Sequence, residues 1–346
     1  MRRLLPLVAV VALMAVFGFA VYSVLGTLKS TRHEFSKPTL TQALIDLSGT
    51  VVVVQNGDIY SLTNLKFTQI KAPAMDWVQV APAPDGDILA VAYSSSYSNV
   101  YLLNPQGQIV RQLLSESSTQ YFGNHWAYYP RVSPSGSTLF YVSDWLCQSA
   151  SCGGVYNVDF QIQAVPFANP AVSPVVWSEA GLYFQGGDVQ PIPLANGGII
   201  YAKYAIDGAT GATYAQLVYV SSPYANPVAL TLPAQDCAEP ALSPNGTEIA
   251  MVCTNNSLQS TTLQVASWNG TTLGTPVQIS AGPLPASPTW SPNGKSVLYL
   301  NTLLTDKSSP FQLWWIPRAT SPKPGAPQQV TEDLNFTATS PPIWTA

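Results

Sequence analysis

The chain has 346 residues, of which 47% are hydrophobic and only 9% are charged, with a formal net charge of −4 at pH 7. The apolar fraction supplies enough surface for a large core. The charged fraction lies far below the roughly 25% of an ordinary soluble domain. Such a low content of charged residues is common in proteins that work outside the cytoplasm. Beyond residue 37 the chain has 9 Lys or Arg and 17 Asp or Glu, a balance of −8, which argues against a nucleic-acid partner because such proteins usually carry a basic stripe.

The first predicted element is a membrane-spanning helix or signal segment at residues 1–26. Arg2 and Arg3 precede an apolar run of about 23 residues, and about 20 are needed to cross a hydrocarbon core. A signal peptide cleaved near residues 18–20 is the alternative, although the run is longer than a usual signal core. We therefore expect a retained anchor, then a polar linker at residues 27–48, then a folded domain at residues 49–346.

A four-residue phrase then recurs along the chain, each time ahead of a β-branched or aliphatic run. Its last three residues are Pro, then Asp, Asn or Ser, then Gly. This composition suits a type I turn whose Gly takes a positive φ, and such a turn joins two antiparallel strands. The phrase stands at residues 83–86, 133–136, 243–246 and 291–294.

The spacing of the phrase predicts blades of similar length. Its glycines are 50, 110 and 48 residues apart, so we place one degenerate repeat in the long interval, at residues 196–198. A unit of about 50 residues with four short strands is the blade of a β-propeller. Further strands are expected at residues 51–54, 58–62 and 67–70 in blade one, 99–103 and 108–113 in blade two, and 311–316 and 328–331 in blade six.

The two ends of the predicted domain complement each other. Blade one lacks a first strand, whereas the chain finishes on a strand lead-in at residues 339–344 with no hairpin after it. We therefore expect an all-β fold, a six-bladed β-propeller of four-stranded antiparallel blades in which the C-terminal strand closes blade one. Residues 177–184 resemble the phrase without its Pro, so a seven-bladed ring is the alternative.

The repeated hairpins resemble those of a known family. Ser-Pro-Asn-Gly at residues 243–246 and Trp-Ser-Pro-Asn-Gly at residues 290–294 are similar to the TolB-like propeller repeats, which occur in periplasmic TolB, in the noncatalytic domains of prolyl oligopeptidases and in many bacterial surface proteins. The resemblance covers residues 49–346. The resemblance implies a propeller architecture. Because these repeats occur in proteins of many functions, it does not assign a binding role to any residue of this sequence.

The four cysteines bear on the compartment. Cys237 and Cys253 lie eight residues on either side of Asn245, so a regular hairpin places them opposite one another, within reach of a disulfide. Cys147 and Cys152 form the second candidate pair. Two disulfides imply an oxidising compartment, and four buried thiols are the alternative. A zinc site is not expected, and neither is any other metal or cofactor.

One face of the ring is the default ligand face, because the loops entering each first strand and those joining second to third strands emerge on the same side. Residues 121–129 are the densest aromatic run of the chain, and Trp126, Tyr121 and Trp145 are the expected anchors of a recognition patch on blades two and three. Packing within the ring is the alternative role for these aromatic side chains. The binding-face candidates are Asp76, Trp77, Tyr121, His125, Trp126, Asp144, Trp145, Asp236, Glu239 and Asp306.

No catalytic motif of the common hydrolase, metalloprotease or phosphate-binding kinds occurs in the sequence. The sequence therefore favours a noncatalytic binding or scaffold module of the cell envelope, anchored by a single span with the propeller on the extracytoplasmic side, or secreted if the signal is cleaved. Its partner is expected to be an envelope or extracellular protein or a polysaccharide. The alternative is a glycan-active hydrolase or lyase that uses carboxylates at the centre of the ring.

Overall fold

The computed structural model describes residues 39–40, 47–64, 66–119, 124–145, 159–178, 187–255, 260–304, 309–320 and 323–346. The expected anchor at residues 1–26 lies outside these ranges. Within them, no helix has the length and the apolar character that crossing a membrane requires.

The regular secondary structure of the described chain is almost entirely β-strand. Short 3₁₀ turns lie at Pro84–Gly86 and Pro233–Gln235. The strands are, in chain order, β1 (Thr39–Leu40), β2 (Thr50–Gln55), β3 (Asp58–Thr63), β4 (Lys66–Gln69), β5 (Asp76–Pro82), β6 (Ile88–Tyr93), β7 (Ser98–Leu103), β8 (Ile109–Leu114), β9 (Ala127–Val132), β10 (Thr138–Trp145), β11 (Asp159–Pro166), β12 (Val175–Val176), β13 (Gly187–Pro193), β14 (Ile199–Ile206), β15 (Thr213–Val220), β16 (Val228–Ala229), β17 (Cys237–Leu242), β18 (Glu248–Asn255), β19 (Ser260–Ser267), β20 (Val277–Gly282), β21 (Ala286–Trp290), β22 (Val297–Asn301), β23 (Gln312–Ile316), β24 (Gln328–Gln329), β25 (Thr331–Glu332) and β26 (Ile343–Thr345).

These strands form six four-stranded antiparallel sheets, which are the blades of a six-bladed propeller. From the inner strand outward, blade one is β26, β2, β3 and β4, and blades two to six take consecutive groups of four from β5–β8 to β21–β24. The short strands β1 and β25 pair separately. The six-bladed expectation is confirmed and the seven-bladed alternative is wrong, because β12 is the outer strand of blade three and β13 already begins blade four.

The C-terminal strand closes the ring. β26 pairs with β2 in antiparallel register, with Thr345 opposite Thr50 and Ile343 opposite Val52, and the Trp344 indole donates a hydrogen bond to the Ser48 carbonyl at 2.9 Å. Gly49 lies so close to this strand that an added Cβ would stand 2.0 Å from the Thr345 carbonyl oxygen. The closure predicted from the two unpaired ends is therefore confirmed by the strand pairing.

In three of its four places the repeated phrase forms the hairpin turn that its chemistry predicts. In blade two, Asp85 as well as Gly86 takes a positive φ, of 62° and 79°. In blades three, five and six the glycine N–H donates to the serine carbonyl of the same turn at 2.8 Å, and the glycine φ lies between 68° and 73°. The serine hydroxyl oxygen also accepts the backbone N–H five residues later, as Ser243 does from Glu248. The degenerate repeat of blade four turns in the same way, since Gly197 donates to Leu194 at 3.0 Å.

The apolar core lies between neighbouring blades. Val54 and Ile59 of blade one pack with Val80 and Ile88 of blade two. Each fully buried aliphatic side chain of this kind stabilises the fold by roughly 1.5–3 kcal/mol. Because each blade covers the faces of its neighbours, the ring must close before all six interfaces are buried.

Candidate functional site

A partly exposed stack of three aromatic rings crosses from blade two to blade three. The half-buried Trp126 ring stacks on Tyr93 with a centroid distance of 5.4 Å and on Tyr128 with a distance of 6.0 Å. Tyr93 ends strand β6 and is 41% exposed. We call Tyr93, Trp126 and Tyr128 the aromatic stack. It forms where the sequence predicts a recognition patch around Trp126.

The backbone beside the stack is held rigidly by blade two. The buried hydroxyl of Ser98 accepts the Ala127 N–H and donates to the Ala127 carbonyl, both at 2.8 Å. The Ser98 N–H donates to the His125 carbonyl at 3.2 Å. These bonds fix the entry to strand β9, so the Trp126 ring is presented with little conformational freedom to lose on binding.

A polar cleft of about 730 Å³ adjoins the stack between blades two and three. We call it the polar cleft. Its chemistry is mixed, because two carboxyl groups and an imidazole share it with amides and hydroxyls. The polar side chains that line it are Gln112, Ser115, Glu116, His125, Tyr141, Ser143, Asp144, Gln161 and Gln163.

Asp144 connects the cleft to the stack. One oxygen of its buried carboxylate accepts the Trp126 N–H at 2.6 Å and lies 3.4 Å from Nδ1 of His125. Burial raises the pKa of Asp144 above its ordinary value, although the Trp126 N–H and His125 oppose the shift. The same carboxylate therefore positions both the indole-bearing residue and the imidazole.

Glu116 is a member of the cleft that sequence reasoning missed. Its backbone N–H donates to the Asn99 side-chain oxygen at 2.8 Å, and its carbonyl accepts the His125 N–H at 2.9 Å. Burial raises the pKa of Glu116, and the nearby Asp144 carboxylate adds to that rise while His125 opposes it. Glu116 follows the outer strand of blade two, which is far in sequence from the repeated turn phrase. It lies near His125 only because blade three packs against blade two.

The other face candidates that the structure describes do not join this site. Asp76 is exposed at the start of β5, whereas Trp77 is only 1% exposed, packs edge-on against Tyr101 at 5.7 Å and donates its indole N–H to Pro73 at 3.0 Å. Trp77 therefore belongs to the core between blades one and two, which corrects its placement on the ligand face. Asp236 accepts the Ala215 N–H at 2.6 Å, at the edge of blades four and five.

Several candidates lie outside the described part of the chain. Tyr121, Asp306, Cys147 and Cys152 are among them, as is the side chain of Trp145. Their roles remain predictions.

The predicted pairing of Cys237 with Cys253 is confirmed. The two residues are directly opposed on β17 and β18, with Cα atoms 4.0 Å apart, and they form a disulfide. Both are buried.

A girdle of side chains joins the inner strands around the ring. Tyr129, Gln190, Glu239 and Ser287 lie at bulges of the inner strands, and Gln79 directly follows the bulge of β5. The side chains of Gln79, Gln190, Glu239 and Ser287 bond to backbone groups outside their own blade, whereas Tyr129 takes part through its backbone N–H. We call Gln79, Tyr129, Gln190, Glu239 and Ser287 the central girdle. Its bonds run from Tyr129 N–H to Gln79 (2.7 Å), from Glu239 N–H to Gln190 (3.0 Å), from Ser287 N–H to Glu239, from the Ser287 hydroxyl to the Ala338 carbonyl, and from the Gln79 amide to the Thr339 carbonyl (3.1 Å).

Four of the five girdle residues share a sequence signal, because each directly precedes a Pro that lies three positions before the turn of its blade. In blade two, Val80 stands at the position of this Pro. The pairs are Tyr129-Pro130, Gln190-Pro191, Glu239-Pro240 and Ser287-Pro288. In all four the first residue has a positive φ, between 49° and 57°, a conformation uncommon outside glycine. The bulge and the Pro, which has no N–H to satisfy, take this residue out of the ladder and aim it inward.

Glu239 is the acid of the girdle. Burial raises its pKa to about 7, although the hydrogen bond from Ser287 opposes the shift. Tyr129 and Tyr204 lie near it, and burial lowers the pKa of the nearby inner-strand residue Arg131 to about 10. Within the described residues, no group of three or more His, Cys, Asp and Glu side chains is arranged to hold a metal ion. The girdle is therefore made mainly of amides and hydroxyls around a single carboxyl group.

Solved structures of TolB proteins are similar in fold to this chain. TolB from Acinetobacter baumannii superposes with a TM-score of 0.61 and 15% identity, over 87% of this chain and 67% of that chain. The putative TolB from Agrobacterium tumefaciens gives 0.56 and 12%, over 86% and 94%. This chain has the fold of the TolB propellers.

The TolB-like fold is shared with enzymes. An oligogalacturonate lyase in complex with manganese superposes at a TM-score of 0.51 and 11% identity, over 85% of this chain and 84% of that one. No protein-family model and no curated protein matches the sequence. At sequence identities of 11–15%, the similarity to these structures supports the fold alone. The candidate site is therefore argued from the geometry of this chain.

Proposed function

We propose that this protein is a noncatalytic binding or scaffold module of the cell envelope, which binds a partner protein through the aromatic stack and the polar cleft. The observation that carries the proposal is the stacking of Trp126 on Tyr93 and Tyr128. The Trp126 N–H is bound by Asp144, which lines the polar cleft together with Glu116 and His125. Aromatic anchors beside a pocket are typical of the residues that dominate binding energy. A preformed cleft of this size suits a side chain or a short segment of a partner.

The chemistry of the cleft favours a peptide segment that carries a cationic side chain. Glu116 and Asp144 supply negative charge, and Gln112, Gln161 and Gln163 supply donors and acceptors that match a peptide backbone. A polysaccharide is the second candidate ligand, because the same amides also bind hydroxyl groups.

Two features support an extracytoplasmic site of action. The disulfide between Cys237 and Cys253 is of a kind that persists in oxidising compartments. The apolar run at residues 1–26 is long enough to anchor the chain to a membrane. We therefore place the propeller outside the cytoplasm and joined to the membrane by residues 27–48.

A glycan-active enzyme is the second candidate function, favoured by the fold shared with the oligogalacturonate lyase and by the raised pKa of Glu239. Cleavage by paired acids needs two carboxyl groups about 5–10 Å apart, and the described girdle supplies one. Incubation with oligogalacturonate tests this function. Product formed by the wild-type chain and lost in Glu239→Gln would favour catalysis over binding.

Site-specific photocrosslinking in cells tests the binding function. A photoreactive residue at Tyr93, which is 41% exposed, should give a discrete adduct with one envelope protein, whereas the same residue at Leu232, which is 67% exposed and lies next to blade five, should not. The adduct should disappear when Trp126→Ala is added to the Tyr93 probe. Equal adducts from positions 93 and 232 would contradict the proposed face.

A further inference from the structure

A second cavity, of about 320 Å³, lies between blades three and four and takes no part in the proposed partner site. We call it the Asp188 cavity. It is formed where the end of blade three meets the two inner strands of blade four, β13 and β14. The residues that decide its chemistry are Trp177, Ser178, Asp188, Tyr201, Lys203 and Tyr224.

Asp188 is the unusual group of this cavity. The residue is only 1% exposed, both carboxylate oxygens are shielded from solvent, and neither accepts a hydrogen bond of normal geometry from any described residue. The Lys203 ammonium is 3.8 Å from Oδ1, which is beyond hydrogen-bond distance. Buried carboxylates are costly unless they are hydrogen-bonded. Burial accordingly raises the pKa of Asp188 to about 6, against the opposing effects of Lys203 and the Ser178 hydroxyl.

The two charged groups differ in how freely they can move. Asp188 is fixed on the inner strand β13, directly opposite Lys203 on β14, whereas the Lys203 side chain is 39% exposed. A long flexible side chain at the mouth can shift towards solvent at small cost. Lys203 is therefore the movable cover over the carboxylate, and a ligand that displaces it reaches two oxygens that accept no hydrogen bond of normal geometry from the described residues.

The charge of the pair selects the class of ligand. The Lys203 ammonium balances the Asp188 carboxylate 3.8 Å away, so the pair offers no net charge for a charged ligand to neutralise. A neutral ligand with neighbouring hydroxyl groups satisfies both, because one hydroxyl donates to Asp188 while another accepts from Lys203.

The walls supply a complementary flat surface. The half-buried Trp177 ring is held edge-on by Phe140, with centroids 5.1 Å apart and an interplanar angle of 71°. Tyr224 is 87% exposed beside the cavity. Aromatic faces of this kind attract polarised C–H groups. We propose that the Asp188 cavity binds one neutral sugar ring of a glycan. This goes beyond the proposed partner site, because it needs neither the aromatic stack nor the polar cleft.

The test uses the full-length chain, purified without glycoside detergents, and the methyl glycosides of glucose, galactose and mannose as probes. Saturation-transfer NMR should detect at least one of them at millimolar concentration. Glucuronate and glucosamine should bind at least tenfold more weakly. Tighter binding of either charged sugar would overturn the assignment to a neutral ligand, and failure of all three glycosides to bind would overturn the site.

Variants locate the binding. Asp188→Asn should weaken it about tenfold or more, while thermal stability holds or rises because a buried charge is removed. Tyr224→Ala should weaken it severalfold at unchanged stability, because that side chain is exposed. Val228→Ala, an exposed change on the neighbouring β16, is the matched control and should leave binding intact. Binding that survives both Asp188→Asn and Tyr224→Ala would place the sugar elsewhere.

Asp188→Asn should also leave the Tyr93 crosslink unchanged, which separates this inference from the proposed partner site.

Discussion

The Glu239 carboxylate in blade five accepts a hydrogen bond from the backbone N–H of Ser287 in blade six. Ser287 in turn donates its hydroxyl proton to the Ala338 carbonyl, which precedes the closing strand of blade one. Side chains of the inner strands thus link one blade to the next near the centre of the ring. A titratable group in this girdle makes the stability of the ring depend on pH.

Replacing Glu239 should change the pH dependence of stability. The folded chain holds the Glu239 proton up to about pH 7, whereas an unfolded chain releases it near the ordinary value of 4.5. The folded state therefore binds more protons between these values, and stability falls as pH rises through this window. Glu239→Gln keeps an oxygen for the Ser287 N–H and has no proton to lose. Its unfolding free energy should fall less than that of the wild type between about pH 5 and about pH 8, by roughly 1–3 kcal/mol.

Urea denaturation at the two pH values measures the difference. Asp333→Asn, a change at an exposed position, should follow the wild type. Identical pH dependence in wild type and Glu239→Gln would mean that Glu239 is ionised in the folded ring across the whole range.

Truncating the aromatic stack should weaken partner binding. Trp126→Ala removes the central ring, and Tyr93→Ala removes an exposed one. Each should cost roughly 1–3 kcal/mol of binding free energy, or about 5- to 150-fold in affinity. Surface plasmon resonance against the crosslinked partner measures this, with Leu232→Ala as the exposed control. Thermal melting must show that the variants fold. Unchanged affinity in a folded Tyr93→Ala variant would remove the stack from the interface.

Removing the confirmed disulfide should destabilise blade five. The bond joins residues 16 positions apart, and closing a loop of this length stabilises a chain by about 3 kcal/mol. The double variant Cys237→Ala and Cys253→Ala should lower the free energy of unfolding by roughly 2–4 kcal/mol. Thermal or urea denaturation measures this loss. No reductant is added, so that the redox state of the other two cysteines is not changed. A loss below about 0.5 kcal/mol would show that the hairpin holds without the crosslink.

Shortening a side chain of the closing strand should loosen the ring. Trp344 is 8% exposed, packs with the core between blades one and six, and donates to the Ser48 carbonyl. Trp344→Ala should therefore cost about 3–5 kcal/mol. Thr345→Ala, one residue on and exposed, should cost less than about 0.5 kcal/mol. Equal melting temperatures of the two variants would show that β26 adds little to closure.

The sequence determined the blades because their information is local. A serine, a proline and a glycine within four residues specify a turn whichever blade contains them, so even the degenerate turn ahead of Ile199 was placed correctly. Cys237 and Cys253 were paired for the same reason, because symmetry about one turn fixes the register of one hairpin.

Only the tertiary structure decided which side chains meet across blades. Trp77 and Trp126 both stand near the start of an inner strand, yet the first is buried against blade one and the second stacks at a cleft. Glu116 reaches His125, and Glu239 reaches Ser287, because the closed ring packs one blade on the next. Turn chemistry acts within a few residues of the chain, whereas contacts between blades depend on how the whole sheets pack. The Pro after Glu239 marks a girdle residue in the sequence, but no short pattern records which group of the next blade that residue meets.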